Sequence, residues 1–382
     1  MLSFKNTNIL INNKIKKSCL SINNKKFVKY VDSKDAITLS NKYIVVPGFI
    51  EQHMHGAKKA DVMNNSSKSL HTISKALLVD GVTSWLPTTM TAAKKQILAT
   101  LRTIANIKIL PNEAKIAGIN LEGPFISPDR KGAHDERFML KPNLKDATDF
   151  VKASHNKIRI MTIAVEKLDN KLANYLYRNN IVISVGHSTA NEKQLALAVK
   201  NKHVSCVTHV FNAMDKNDAK NKGIVGFSKY NKDLFAEMIL DLKHVDKKHA
   251  LSYFKAKGKH KFIIITDSME ARYMPDGIYK LGSNTVYVKN NQALLANGKK
   301  AGSVLTMTQA LKNAKKTFNL SLEDTIGLVT TNIVNNLHLD KVGAIKQGYW
   351  ADFAIIDKNF NVYQTYVNGK LAYSKKGFKI TK

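Results

Sequence analysis

Eight short runs of apolar and β-branched residues recur along most of this chain of 382 residues. Most of the gaps between them hold about 10–15 residues in which apolar positions recur every three or four residues, the spacing of one helix face. Strands that alternate with helices favour a parallel sheet, and eight strands close a (β/α)8 barrel. We therefore predict an α/β protein with a distorted (β/α)8 barrel. The runs occupy residues 43–50, 82–86, 115–121, 158–165, 181–185, 204–207, 234–240 and 261–265.

The two ends of the chain do not follow this alternation. They carry short alternating runs and turn signals, for instance residues 362–367, which precede the hairpin dipeptide Asn368-Gly369. A small β-sandwich domain built from both chain termini is the interpretation that accounts for both ends. The predicted division is a β-sandwich formed by residues 1–46 and 342–382, and a barrel formed by residues 47–341.

The net charge bears on the class of partner. The chain has 60 Lys and Arg against 29 Asp and Glu, a formal charge of +31, which first suggests nucleic acid or another polyanion. However, only six of these residues are arginines, whose two-pronged guanidinium reads nucleic-acid bases, and the lysines are spread in ones and twos. We interpret the charge as a solvated surface that favours small anionic substrates, and we predict no nucleic-acid partner. A polyanion-binding protein is the alternative from another class.

Apolar run lengths and cysteine content bear on location. No apolar run approaches the ~20 residues that span a bilayer, and polar residues interrupt the N-terminal stretch MLSFKNTNIL. The two cysteines, Cys19 and Cys206, cannot form a disulfide framework. We therefore predict a cytoplasmic protein with no membrane partner.

Six titratable residues follow the ends of the predicted strands. The catalytic groups of (β/α)8 barrels come from the C-terminal ends of the strands, so these residues are expected to converge at one rim. Two of them, His53 and His55, stand two positions apart on extended backbone, which points both side chains the same way. The others are Glu122 after the third run, His187 after the fifth, His209 after the sixth and Asp267 after the eighth.

Imidazole and carboxylate side chains together are typical ligands of divalent metals. Taken alone, a His-x-His pair is often satisfied by backbone carbonyls, and an Asp after a strand is often a helix N-cap. Their coincidence at five strand ends favours a metal centre instead. We predict a divalent first-row metal cofactor, with zinc or iron favoured. Such a metal lowers the pKa of a bound water and makes it a nucleophile near neutral pH.

Longer motifs around these residues carry a resemblance to a known family. In content and order they resemble the motif series of N-acetylglucosamine-6-phosphate deacetylases of the amidohydrolase superfamily. The resemblance implies a barrel with a β domain split between the termini, and hydrolysis of N-acetyl-D-glucosamine 6-phosphate to D-glucosamine 6-phosphate and acetate in amino-sugar catabolism and cell-wall recycling. The alternative substrates are N-acetylgalactosamine 6-phosphate or another N-acyl amino sugar. The motifs are PGFIEQHMHG, LEGPFISPDRKGAH, VGHSTA, THVFNAM, ITDSMEARYMPDGIYKLG and AGSVLTMTQALKN.

The resemblance also implies roles for the six residues at the strand ends. The family holds one or two ions per subunit, and Glu122 is expected to bridge the two ions where both are bound. Asp267 is expected to take a proton from the attacking water and return it to the departing amine. The family's ligands of the principal metal match Glu122, His187 and His209, those of a second metal match His53 and His55, and its general acid/base matches Asp267.

Substrate contacts follow from the same resemblance. A family Arg that reaches the sugar phosphate from the neighbouring subunit matches Lys220, which implies a homodimer or a dimer-based oligomer. Lysine neutralises phosphate but cannot grip it with two parallel hydrogen bonds. The sequence also departs from the family at Leu242, where Gly is usual, at Lys300, where Leu is usual, and at residues 332–334, where Asn-Pro-Ala is usual. The remaining substrate-binding positions match Ala133, His134, Asn212, Ala213 and His244.

Overall fold

The computed structural model describes residues 1–214 and 223–379. Strands dominate both chain ends, and strands alternate with helices in between. The strands are β1 (Leu2–Ile11), β2 (Lys14–Asn23), β3 (Lys26–Val28), β4 (Ile44–Pro47), β5 (Phe49–Met54), β6 (Gly56–Ala57), β7 (Ala60–Asp61), β8 (Val82–Pro87), β9 (Lys115–Ile116), β10 (Ile119–Glu122), β11 (Ile158–Ile163), β12 (Val182–Val185), β13 (Val204–Val207), β14 (Phe235–Ile239), β15 (Phe262–Ile265), β16 (Gly277–Leu281), β17 (Asn284–Lys289), β18 (Gln292–Leu294), β19 (Phe353–Ile356), β20 (Val362–Val367) and β21 (Lys370–Ser374).

Most of the helices occupy the gaps between the parallel strands, as the three- and four-residue spacing of apolar positions predicts. Several begin at a polar N-cap, for example α5, whose Asn191 and Gln194 form a reciprocal capping box. The α-helices are α1 (Ser67–Ala76), α2 (Lys94–Asn106), α3 (Leu144–Ala153), α4 (Asn170–Arg178), α5 (Glu192–Asn201), α6 (Gly223–Tyr230), α7 (Lys247–Lys257), α8 (Met307–Phe318), α9 (Leu322–Gly327) and α10 (Thr331–Leu337). Short 3-10 helices are Val62–Asn64, Leu77–Asp80, Pro128–Arg130, Glu136–Phe138 and Val165–Lys167.

A curled parallel sheet forms the centre of the molecule. Strands β10 to β15 pair in parallel in chain order, and β5, β8 and β9 form a second parallel sheet. A bridge between Thr88 and Asn120 joins the two sheets. At the other side, the backbone N–H of Asp267 donates to the carbonyl of His53 at 2.9 Å. Apart from the short β9, these strands are almost entirely buried, which explains why most of them are near-continuous apolar runs. The predicted α/β class is therefore confirmed.

Both chain ends contribute to one seven-stranded sheet. Its strand order is β21-β20-β19-β4-β1-β2-β3, with β1 and β4 parallel and the other pairs antiparallel. Phe4, Phe27 and Phe353 form the centre of a core of its own. The hairpin predicted at Asn368-Gly369 joins β20 to β21. The strand predicted over residues 43–50 is two strands, because β4 joins this terminal sheet while β5 enters the parallel one.

A three-stranded antiparallel sheet, β16 to β18, has no counterpart in the sequence prediction. Burial alternates along β17, where every second residue faces the interior, as one-sided packing requires. The run is short and rich in Lys and Asn, so its period of two is weak in the sequence. This sheet matters for the site because Leu281, at the end of β16, lines the main cavity.

Leu242 has a left-handed backbone with a φ of +61°, at a position where the resembled family usually has Gly. Its side chain is half-buried against the core, so truncation removes some packing. We expect Leu242→Gly to be more stable than Leu242→Ala by about 1 kcal/mol, because only Gly adopts this conformation without strain. Chemical denaturation of the two variants measures the difference. An Ala variant at least as stable as the Gly variant would contradict a left-handed backbone here.

None of the helices in the described part of the chain is both long enough and apolar enough to cross a membrane.

Candidate metal centre and substrate cavity

The six residues predicted at the strand ends lie together at one end of the parallel sheet. All six side chains are buried. His53 lies in the last part of β5, and the others follow a strand or end one. Three of them have positive φ values, 47° at His187, 26° at His209 and 48° at Asp267. Such strain in non-glycine residues is characteristic of functional sites, where it aims a side chain that regular strand geometry would direct elsewhere.

Glu122 lies at the centre of this group and turns one carboxylate oxygen to each side. Its Oε1 is 2.9 Å from His209 Nε2 and 3.1 Å from His187 Nε2. Its Oε2 is 3.1 Å from His55 Nε2 and 3.4 Å from His53 Nε2. We call His187 and His209, with Oε1, the Oε1 half-site, and His53, His55 and Asp267, with Oε2, the Oε2 half-site.

Asp267 completes the Oε2 half-site. Its Oδ1 lies 3.1 Å from His55 Nε2 and 3.7 Å from His53 Nε2. Burial raises the pKa of Asp267, but the close approach of His55 and the charges of both histidines outweigh this and lower the pKa below its ordinary value. The carboxylate is therefore ionised near neutral pH, which a proton acceptor requires.

The orientation of the histidine rings fits a metal site. In three of the rings an acceptor binds Nδ1, the nitrogen that faces away from Glu122. Nδ1 of His55 donates to the Thr88 carbonyl at 3.2 Å, and Nδ1 of His187 donates to the Arg130 carbonyl at 2.7 Å. Nδ1 of His53 donates to the buried carboxylate of Glu237. A neutral ring held this way turns the lone pair of Nε2 inward, where a cation can accept it.

Unpartnered atoms point to the same conclusion. Within the described part of the chain, His53 Nε2 and Asp267 Oδ1 are buried and make no hydrogen bond. Buried polar atoms are rarely left so, and here each lies 3.1 Å to 3.7 Å from further candidate donor atoms. Imidazole nitrogens and carboxylate oxygens at this spacing suit one or two divalent cations. The residues present therefore fit the predicted metal.

The histidine pKa values differ between the half-sites. Burial lowers the pKa of His187 to about 4, so this ring is neutral near pH 7, as a metal ligand must be. Burial also lowers the pKa of His55, but its close contacts with the carboxylates of Asp267 and Glu122 outweigh this effect and raise the pKa to about 10. A cation that enters the Oε2 half-site must therefore displace a proton there.

His134 lies next to the metal ligands but is set up differently. The backbone N–H of Thr91 donates to its Nδ1 at 3.1 Å, so Nδ1 is an acceptor and the proton of a neutral ring lies on Nε2. That Nε2 is 3.7 Å from Glu122 Oε2 and borders the cavity. A ring in this state donates a hydrogen bond and does not ligate, in keeping with the substrate contact predicted for His134.

A cavity of about 640 Å³ opens above the two half-sites. Its wall also carries Lys300, a cation at a position where the resembled family usually has Leu. His244 Nδ1 donates to Asp241 Oδ2 at 2.7 Å, which orients the ring. Lys220 lies outside the described residues. The predicted substrate contacts on the wall are Ala133, His134, Asn212, Ala213 and His244.

Glu237 is a buried carboxylate that the sequence analysis missed. It lies in the middle of β14, and its Oε2 accepts from His53 Nδ1 at 3.0 Å and from the backbone N–H of His209 at 3.2 Å. The Gln52 amide donates to its other oxygen. A charged residue inside an otherwise apolar strand was the available signal, since burial of an unpaired charge is costly.

A second polar network holds the turn that carries Asp267. Thr266 Oγ1 donates to Glu51 Oε2 at 2.7 Å, and Ser268 Oγ accepts from Arg272 at 3.2 Å. Arg272 is completely buried and also donates to Asp80. Both sequence neighbours of Asp267 are therefore held by buried hydrogen bonds, which fix the turn that carries it.

Comparison with known proteins agrees with this geometry. The model of the amidohydrolase family matches residues 44–372. N-acetylglucosamine-6-phosphate deacetylase of Lysinibacillus sphaericus is 33% identical over 339 residues, covering 88% of this chain and 87% of the relative. N-acetylgalactosamine-6-phosphate deacetylase of Escherichia coli O157:H7 is 29% identical and covers 88% and 90%. The solved structure of N-acetylglucosamine-6-phosphate deacetylase from Thermotoga maritima superposes with a TM-score of 0.88 at 27% identity, covering 98% of this chain and 100% of that one.

These matches extend over nearly the whole chain, and they include the segments that carry all six residues of the buried cluster. Amidohydrolases are metal-dependent enzymes, and the cluster has the ligands that such an enzyme needs. The chain therefore belongs to the amidohydrolase family and, within it, to the N-acetylglucosamine-6-phosphate deacetylases.

Proposed function

We propose that this protein hydrolyses N-acetyl-D-glucosamine 6-phosphate to D-glucosamine 6-phosphate and acetate, in amino-sugar catabolism and cell-wall recycling. The observation that carries the proposal is the Glu122 carboxylate between two histidine half-sites, with the ionised Asp267 beside it at the floor of the cavity. The names of the similar proteins support this substrate class, since both relatives are deacetylases of an amino-sugar 6-phosphate.

The metal ligands are part of the proposal. Glu122, His187 and His209 would hold the principal ion, and His53 and His55 would hold a second one bridged by Glu122. Zinc and iron are the proposed metals, because both accept imidazole and carboxylate ligands. When bound, the metal polarises the acyl carbonyl and lowers the pKa of a water molecule.

Asp267 would carry the proton during the reaction. As a carboxylate it accepts the proton of the water that attacks the acetamide carbonyl. As the C–N bond breaks, the same group returns this proton to the leaving nitrogen, so glucosamine departs as a neutral amine. His134 would donate from Nε2 to an oxygen of the substrate, and His244 would hold the sugar near the reacting carbon.

The phosphate end of the cavity requires neutral and cationic donors. Ala133, Asn212 and Ala213 would border the phosphate, and Lys220 of a neighbouring subunit would replace the family's Arg. This arrangement makes the protein a homodimer or a dimer-based oligomer. We further propose a cytoplasmic location, on the basis of the sparse cysteines.

The closed barrel and the terminal β-sandwich also belong to the proposal. The two parallel sheets are linked at two places. The bridge between Thr88 and Asn120 joins them on one side, and the hydrogen bond from Asp267 to His53 joins them on the other. Both links support an eight-stranded barrel over residues 47–341. The shared seven-stranded sheet supports one domain built from residues 1–46 and 342–382.

An acetate-release assay with purified, metal-loaded protein tests the function. Four substrates separate the possibilities: N-acetylglucosamine and N-acetylgalactosamine, each with and without a 6-phosphate. We expect the highest kcat/KM with N-acetylglucosamine 6-phosphate. A higher value with the galactose epimer would assign the protein to the activity of the similar E. coli enzyme. No acetate from any of the four would refute a deacetylase of these sugars.

Lys300 offers a test of how the cavity binds phosphate. It lines the cavity, and its Nζ donates to the backbone carbonyl of Lys243, next to His244. Because Lys300→Met keeps the length but removes the charge, we expect KM for the phosphorylated sugar to rise roughly fivefold to tenfold. KM for unphosphorylated N-acetylglucosamine should stay the same. Lys299→Met is the matched control, and equal changes in the two lysine variants would contradict a specific role.

A further inference from the structure

We propose that Glu237 is a positioning residue that holds the ring of His53 in the state that binds metal, and so sets the metal affinity of the Oε2 half-site. The inference rests on the proposed function only in that a divalent cation occupies the half-sites. It concerns a residue that lies in the middle of β14, behind the metal ligands and away from the cavity wall.

The contact geometry gives the first argument. Glu237 Oε2 is 3.0 Å from His53 Nδ1, and both side chains are completely buried. A carboxylate only accepts hydrogen bonds here, so the neutral His53 ring carries its proton on Nδ1 and its lone pair on Nε2. That Nε2 is the atom that makes no hydrogen bond in the described part of the chain and faces Glu122 and Asp267.

The second argument is that Glu237 itself cannot turn away. The Gln52 amide donates to Oε1, and the backbone N–H of His209 donates to Oε2 at 3.2 Å. Gln52 in turn accepts from Asn336 at 3.3 Å. The carboxylate is therefore held from both sides, and the ring of His53 takes its orientation from a fixed group.

The contact with His209 does not extend the effect to the Oε1 half-site. Glu237 bonds only the backbone of His209, whereas the ring of His209 is set by Glu122 at 2.9 Å. His187 is oriented by the Arg130 carbonyl and has no contact with Glu237 among the described hydrogen bonds. Loss of the Glu237 charge should therefore weaken one half-site and leave the other.

Glu237→Gln is the informative variant because it keeps the shape of the side chain. If its amide oxygen faces His53, the hydrogen bond becomes neutral and weaker. If its NH₂ faces His53, Nδ1 becomes the acceptor and Nε2 the donor, which opposes metal binding. Both orientations predict a 10- to 100-fold loss of affinity, the usual effect of losing an outer hydrogen-bond partner of a metal ligand.

The matched control is a second buried carboxylate with the same kind of contact. Glu113 Oε2 is 2.8 Å from His71 Nδ1, but this pair lies outside the cavity and the metal cluster. Glu113→Gln therefore removes a buried carboxylate from a second His–Glu pair, in which His71 is half-buried. It should leave the affinity of both half-sites unchanged.

The experiment titrates chelator-stripped protein with Co²⁺, followed by its visible absorption, and counts bound metal by elemental analysis. The step that disappears in His55→Asn identifies the Oε2 half-site. We expect wild type to bind two equivalents, and Glu237→Gln to bind the Oε2 ion about 10- to 100-fold more weakly with the Oε1 ion within about threefold of wild type. The intact Oε1 step also shows that the variant is folded.

Three results would overturn the inference: no change in either step, equal weakening of both steps, or a single equivalent of metal in wild type. The acetate-release assay is separate from this titration. Two normal metal steps without acetate release would refute the proposed function but leave the role of Glu237 intact.

Discussion

Asp267→Asn is expected to lower kcat for acetate release by about 1000-fold, within the range that positioned acid–base groups contribute. Asparagine has the same shape, so it still fits between His55 and His53, whose Nε2 atoms lie 3.1 Å and 3.7 Å from Oδ1. However, the amide cannot accept a proton from water or return one to the amine. KM should change little, because the proposed sugar contacts lie elsewhere on the cavity wall.

The metal content of Asp267→Asn shows whether a loss of activity comes from failed proton transfer or from lost metal. The Oε1 half-site has no ligand from Asp267, so elemental analysis should find at least one ion per chain in the variant. Asp61→Asn is a suitable control, since Asp61 is also buried but caps a 3-10 helix, which Asn does equally well. We expect its kcat to stay within about threefold of wild type. A metal-loaded Asp267→Asn variant with more than a tenth of wild-type kcat would refute the proton-transfer role.

The local spacing of residues was enough to predict that these six side chains lie together. The His53 and His55 spacing of two places both rings on one side of a strand, and Glu122, His209 and Asp267 each mark the end of an apolar run. Parallel strands bring their carboxyl ends to one edge, so sequence order alone predicts that these side chains meet. The structure brings all of them within hydrogen-bonding range of Glu122 or of one another.

The supporting contacts could not be predicted in the same way. Glu237 contacts His53 across 184 positions of sequence, and Arg272 contacts Asp80 across 192. No periodicity joins such distant residues, because each partner is chosen by three-dimensional packing of two elements. Only a charge inside an apolar run indicates that a partner exists, and it does not say which one.

The residues that would bind the sugar phosphate could be predicted only in part from the sequence. The resemblance identifies Lys220 by position, and this residue lies outside the described part of the chain. Lys300 was noticed as a departure from the family, but only the cavity places it on the same wall as His244 and Asp267. A substituted residue gains a functional interpretation once its neighbours are known.

Glu122→Gln should have the largest effect of any substitution considered, because Glu122 serves both half-sites. Its two oxygens lie 2.9 Å from His209 Nε2 and 3.1 Å from His55 Nε2. A glutamine keeps one oxygen and turns an NH₂ to the other half-site, where it opposes the lone pairs of the histidines. We expect each ion to bind far more weakly than the 10- to 100-fold loss typical of an outer contact, and acetate release to fall at least about 10,000-fold.

The two variants Glu122→Gln and Asp267→Asn are expected to lose activity for different reasons. In Asp267→Asn the principal ion stays and proton transfer fails, whereas in Glu122→Gln the ions themselves are lost. Elemental analysis after dialysis should therefore separate the two variants even though both lack activity. Excess metal should restore part of the activity of Glu122→Gln, because weak binding is overcome by mass action, but none of that of Asp267→Asn. A Glu122→Gln variant that retains two ions after dialysis would show that the carboxylate does not bridge the half-sites.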